Sequence, residues 1–122
     1  MANEVTVTAS ISVDESSIVQ AISEAGVTFD LANTAVTKYV DGVQDIATTE
    51  TAIDMGDVAS PGWFFAKNLD ATNFIELFAA TVETAFAKLL PGEFIMGKLS
   101  AVAPTAKADT AACALRWFLY EA

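Results

Sequence analysis

The chain has 122 residues, 53% of them hydrophobic, with sixteen acidic side chains, six basic ones and no histidine, for a net charge of −10. That length supports one domain whose core removes roughly two-thirds of the unfolded surface from water. The charge excludes nucleic acid as a partner, because phosphate binding needs a basic footprint. No apolar run approaches the roughly 18 residues of a membrane helix, and the opening "MANEVTVTAS" has neither the basic nor the apolar region of a secretory signal. The reading is a protein made in a cytoplasm, without a membrane partner.

Residues 5–13, "VTVTASISV", alternate with period two, Val5, Val7, Ala9, Ile11 and Val13 on one side and Thr or Ser on the other. β-branching and alternation together predict a half-buried strand. "DESS" ends it, "IVQAIS" is ambiguous, and "AGVTFDLA" predicts a strand after a glycine turn. "AVTKYVDGVQDIA" alternates again, and its Asp41-Gly42 pair is a hairpin signal. Ile53 and Met55 mark a short strand in "TTETAIDMGDV". In "PGWFFAKNLDATNFIEL" the run "WFFAKNL" is apolar on both faces, "DATN" is a turn whose Asp70 and Asn73 bond their own backbone, and "FIELFA" is a strand. Three consecutive aromatics on a strand alternate sides, so Trp63 and Phe65 face one way and Phe64 the other. "TVETAFAKLLPGEF" holds a conflict: Val82, Phe86, Leu89 and Leu90 have helical spacing, yet "PGE" is a turn and "FIMGKLSAV" another strand. "APTAKADTAA" is a loop with a short strand at most. "CALRWFLYEA" closes the chain as a strand, Leu115, Trp117 and Leu119 opposite Arg116, Phe118 and Tyr120. Short strands with turn signals every 8–12 residues and no βαβ alternation predict an all-β, antiparallel β-sandwich or jelly roll. Residues 1–122 are expected to be a single domain, with 1–13 as an edge strand or one exchanged with a neighbour.

Chemistry is sought and little is found. Without histidine there is no Ser-His-Asp, Cys-His or His-metal arrangement. The lone Cys113 has no disulfide partner and no base to make its thiolate, so it is a small core residue. No phosphate-cradling glycine motif is present. Asp54 with Asp57 and Asp41 with Asp45 are paired carboxylates in turn-rich acidic segments, which read as solvated groups rather than a glycosidase pair. Asp54, Asp57, Asn68, Asp70 and Asn73 offer calcium-type oxygens without the spacing of a calcium loop. The expectation is a protein that is not an enzyme, with no catalytic residues, no metal and no cofactor. Ten acidic residues and one basic precede Pro61, and six acidic and five basic follow it. The anionic half suits a solvated face and the neutral half a docking one.

Four segments, Thr48 to Asp57 ("TTETAIDMGD"), Gly62 to Asn73 ("GWFFAKNLDATN"), Leu89 to Glu93 ("LLPGE") and Ala106 to Ala111 ("AKADTA"), then a final aromatic strand, resemble a family of small structural proteins of tailed bacteriophages. The resemblance covers most of residues 43–122. It implies a β-sandwich on a virion, a capsid decoration (cement) protein on the exterior of the shell, whose partners are the major capsid protein and copies of itself as dimer or trimer. It also implies that "AFAKLL" is a strand, leaving a short helical insertion at "TVET" open. Interface positions favour aromatics and arginine, which makes Trp63, Arg116, Trp117 and Tyr120 the candidates, each with core or edge packing as its rival role. A tail, neck or fibre-associated component is the alternative placement. A carbohydrate-binding module is another, gripping host glycans through Trp63, Asn68, Asp70 and Asn73. Open aromatic faces beside free Asx groups would favour the glycan reading.

Overall fold

The computed structural model describes residues 5–16, 18–29, 38–79, 84–99 and 104–121. The chain divides into two compact units, residues 1–36 and 37–122. In the first, β1 (Val5–Glu15) and β2 (Ile18–Phe29) form a two-stranded antiparallel sheet closing at Glu15 and Ile18. The ambiguous "IVQAIS" is the front of a continuous β2, and Gly26 is not a turn before a strand but a bulge within one. Between Val7 and Ala9 the register slips. There Gly26 takes φ +67° and its N–H donates to Thr8 Oγ1 at 3.1 Å. A left-handed glycine absorbs the extra residue of a bulge at no steric cost.

Residues 37–122 hold the sandwich. One sheet runs β3 (Tyr39–Ile46), β10 (Cys113–Glu121), β5 (Pro61–Asn68), β8 (Phe94–Lys98). The other runs β4 (Thr51–Ala52), β9 (Thr105–Ala108), β6 (Ile75–Phe78), β7 (Ala85–Leu89). The antiparallel pairs β3 with β10, β4 with β9, β5 with β8 and β6 with β7 nest one inside the next, first strand with last. The result is one long ribbon of four strand pairs, wrapped until β10 also meets β5 and β9 also meets β6. This double-sheet wrap is a jelly roll. Its interior is filled by alternate residues of the two sheets: Ile46, Phe64, Ala66, Cys113, Leu115, Trp117 and Leu119 from one, and Ile75, Leu77, Leu89, Ala106 and Ala108 from the other. The Phe64 and Trp117 rings meet at 5.4 Å between centroids, tilted by 32°.

Two local expectations change and a third, the turn at "DATN", holds. Asp41-Gly42 is not a hairpin: both lie inside β3, Gly42 opposite Trp117. A type I′ turn needs positive φ at both central residues, and Gly42 is not among the positive-φ glycines. An eight-residue ladder with β10 outweighs the dipeptide. "DATN" does turn the chain, but it links strands of different sheets, so it is a corner of the wrap. Helical spacing around residue 86 also gives way, since Ala85–Leu89 pairs with β6 as a strand. The helical insertion considered at "TVET" falls almost wholly outside the described residues.

Candidate functional site

The corner after β5 gathers the amides and carboxylates that a glycan or calcium ion would need, and the fold engages them internally. Asn68 ends β5 on the inward side and is fully buried. Its Nδ2 donates to the Asn73 carbonyl at 2.8 Å and the Leu89 carbonyl at 3.0 Å, while its Oδ1 accepts from the Asp70 N–H at 2.9 Å. Asp70 Oδ2 accepts from Asn73 N–H at 2.6 Å and Thr72 N–H at 2.9 Å. Those donors hold the Asp70 carboxyl below its ordinary range. Thr110 donates its hydroxyl to Asn73 Oδ1 at 2.8 Å. Cys113 is buried beneath the corner, and burial, then the charges of Asp70 and Asp109, push its thiol upward. Burial in such surroundings disfavours the thiolate form. The knot joins the ends of β5 and β7 through side chain-to-backbone bonds. Among the described residues no three His, Cys, Asp or Glu side chains converge as metal ligands.

A shallow hollow of about 410 Å³ lies beside Gly42 and Trp117. Gln44, at its wall, donates to the Ala52 carbonyl at 2.9 Å and accepts from Asp54 N–H at 3.0 Å. Asp54 in turn accepts from Gly56 N–H at 2.8 Å. The Trp117 indole N–H is buried, with no partner among the described residues. One donor between engaged neighbours gives little to orient a polyhydroxylated ligand.

The outer face of the β3–β10–β5–β8 sheet is different. Registered side chains form rows across it: Asp41, Phe118, Phe65 and Met96 in one, Val43, Arg116, Lys67 and Phe94 in the next. Beside them Tyr39 opposes Tyr120, and Trp63 opposes Lys98. Tyr39, Val43 and Phe94 are about 60% exposed, at 64%, 59% and 61%. Phe65 and Phe94 stack at 5.7 Å. Arg116 pairs with Asp41. The other sheet presents a charged row instead, Glu76 between Lys88 and Lys107, with Lys88 4.1 Å over the Phe74 ring and Phe86 exposed nearby.

Of the four residues singled out from the sequence, three come together on the aromatic face. Trp63 is half-buried, Arg116 is half-exposed, and Tyr120 is buried at 9% exposure with its ring against Gly62, where an added Cβ would sit 2.4 Å from it. A register shift between Leu119 and Glu121 brings Tyr120 and Gly62 together. Trp117 is a core residue, 2% exposed, because it shares the parity of Leu115 and Leu119. The same parity applied to Phe118 and Phe65 finds the aromatics that the sequence reading left out. Compared with known proteins, the chain matches no family model, no curated protein and no solved structure. Among the described residues no helix is long and apolar enough to cross a membrane.

Proposed function

We propose that the protein is a structural component of a phage virion, a decoration protein that binds the outside of the capsid shell and stabilises it through repeated non-covalent contacts. The reading starts from the likeness of residues 43–122 to small phage structural proteins. The observation that carries it further is the outer face of the β3–β10–β5–β8 sheet. Exposed Tyr39, Val43, Phe94 and Phe118 lie there with Arg116, Lys67 and Lys98, half of the chain's cations, in a protein of net charge −10. Exposed aromatics interleaved with Arg have the composition of an interface core. A jelly roll alone does not select this role, since capsid proteins, lectins and cupins all use it. A lattice of many identical shell sites multiplies individually modest contacts.

The glycan reading draws less support, because Asn68, Asp70 and Asn73 are engaged within the corner. Cryo-electron microscopy of purified particles tests the proposal. Density for this chain repeating at icosahedral positions is the expected result. Density confined to one vertex or to the tail would replace decoration with a connector role. Absence from particles would sink both.

A further inference from the structure

We propose that the free edge of β3 is a strand-addition site for an extended, uncharged or basic segment of a different protein, laid along residues 40–44 with one of its carbonyls on the Trp117 indole N–H. The inference does not rest on the decoration reading, whose evidence lies on the outer face of the same sheet. Among the described residues β3 pairs with β10 alone. The Glu121 N–H donates to the Lys38 carbonyl at 2.9 Å, and antiparallel alternation from that bond turns the N–H and C=O of Asp41 and Val43 away from β10. Unpaired groups along a sheet edge are a template for another strand. The hollow of about 410 Å³ follows that edge, since five consecutive residues, 40–44, line it together with Asp54 and Trp117. Gly42, opposite Trp117, opens it: a Cβ there would meet nothing within 4 Å. Trp117 is 2% exposed, and its indole N–H has no acceptor among the described residues. A buried donor left unsatisfied is destabilising, and an incoming acceptor relieves that penalty.

The lining selects the occupant. Gln44 is engaged at both ends of its carboxamide, and Asp54 Oδ1 accepts from Gly56 N–H, which leaves Asp54 Oδ2 to accept from a ligand. The site thus offers the indole donor, a carboxylate oxygen and the alternating groups of a strand edge. A peptide backbone answers all three, its C=O to the indole and its N–H groups to the edge carbonyls and the carboxylate. That series along an extended chain supplies the orientation that a sugar lacks here. Asp41 and Asp54 line the hollow and no cation does, so an acidic or phosphate-bearing ligand is repelled and a lysine or arginine is favoured. The β3 of a second copy fits poorly. Antiparallel self-pairing centred on Asp41 or Val43 opposes Asp41 to its own copy or to Asp45, and centring on Gly42 sets glycine against glycine and leaves both gaps unfilled.

The test follows the indole N–H resonances of isotope-labelled full-length protein while a capped pentapeptide of alternating valine and lysine is added, with Trp63→Phe assigning the Trp117 signal. A saturable downfield shift of that signal is the expected result. The same peptide with glutamate in place of lysine is expected to bind about tenfold more weakly at low salt. Gly42→Val fills the gap without a clash, so it is expected to keep the wild-type urea midpoint and lose the response to the peptide. A Trp117 signal that neither peptide moves overturns the proposal, as does a shift that Gly42→Val retains. Equal binding of the two peptides overturns the choice of occupant. A wild-type dimer that light scattering shows dissolving in Gly42→Val overturns it too, by making a second copy the strand that adds.

Discussion

The hairpin and the sandwich carry the same alternating pattern and end in opposite states. In β10 the inward row Cys113, Leu115, Trp117 and Leu119 is 0–2% exposed, whereas in β1 Ile11 and Val13 of an equally regular row are 66% and 44% exposed. The difference is topological. β10 lies between β3 and β5 and faces a second sheet, while among the described residues β1 pairs with β2 alone. Alternation assigns side chains to a face, and only a second layer turns that face into a core. Charge divides the same way: residues 1–36 hold no cation, and the sandwich holds all six.

The sharpest way to break the comparison is to truncate a row in the layered unit. Leu115→Ala removes a fully buried side chain from the middle of β10. It is expected to cost about 2–5 kcal/mol, the range for such cavities in cores that relax only partially. Urea unfolding followed by tryptophan fluorescence measures it. A loss below about 1 kcal/mol would mean that the two sheets do not close over this position.

Next comes the corner knot. Asn68→Ala leaves the Asn73 and Leu89 carbonyls and the Asp70 N–H without their partner. At about 1–3 kcal/mol for each buried polar group left unsatisfied, less what water recovers, a loss of about 3 kcal/mol is expected in the same urea assay. Asp70 adds a pH dependence. Its native carboxyl is held below its ordinary range, so the unfolded chain takes up a proton first as pH falls. Its stabilisation is therefore complete above about pH 4 and is lost as pH drops through the native value. Asp70→Asn is expected to remove that part of the acid slope, so its difference from wild type should hold steady from neutral pH to about 5 and narrow below about 4. A difference that widens on acidification would contradict the assignment.

How much of this was legible in the sequence follows from where the deciding contacts lie. Period-two alternation in "CALRWFLYEA" and the aromatic triplet gave correct faces, because parity within a strand is local. The all-β sandwich followed from strand length and turn spacing. The β3 ladder through Asp41-Gly42 was hidden, since its partner is β10, more than 70 residues away. The exposed aromatic face was hidden for a related reason: Phe65, Phe118 and Phe94 become neighbours only when β5, β10 and β8 pair. Trp117, an interface candidate by residue type, takes its rival role in the core, as the parity it shares with Leu115 and Leu119 indicates.

Tyr120 and Gly62 offer a mid-sized test of that face. Tyr120 lies over Gly62 on the outward side of the sheet, outside the core cluster. Gly62→Ala drives a methyl into the ring and is expected to cost about 1–3 kcal/mol as the ring shifts. The tyrosine then becomes more exposed, which ultraviolet difference spectroscopy reads. A neutral substitution would mean that the bulge at the end of β5 is looser than the register indicates.

The smallest effect is expected in the hairpin, and its smallness completes the comparison. Ile11→Ser changes a side chain that is 66% exposed, so little apolar surface returns to water on unfolding that was not already wet. Surface changes of this kind fall within about 0.5 kcal/mol. The urea midpoint read at Trp63 and Trp117 should therefore coincide with that of wild type, because those probes belong to the other unit. Hydrogen exchange of the β1 and β2 amides gives the complementary reading: protection should be low in the free protein, whether residue 11 is isoleucine or serine, since among the described residues the two strands pair only with each other and the row at residue 11 is exposed. If free wild-type protein shows strong protection there and the serine variant loses it, the apolar row is already covered in solution, and the contrast between the two units reflects a hidden partner surface rather than a missing layer.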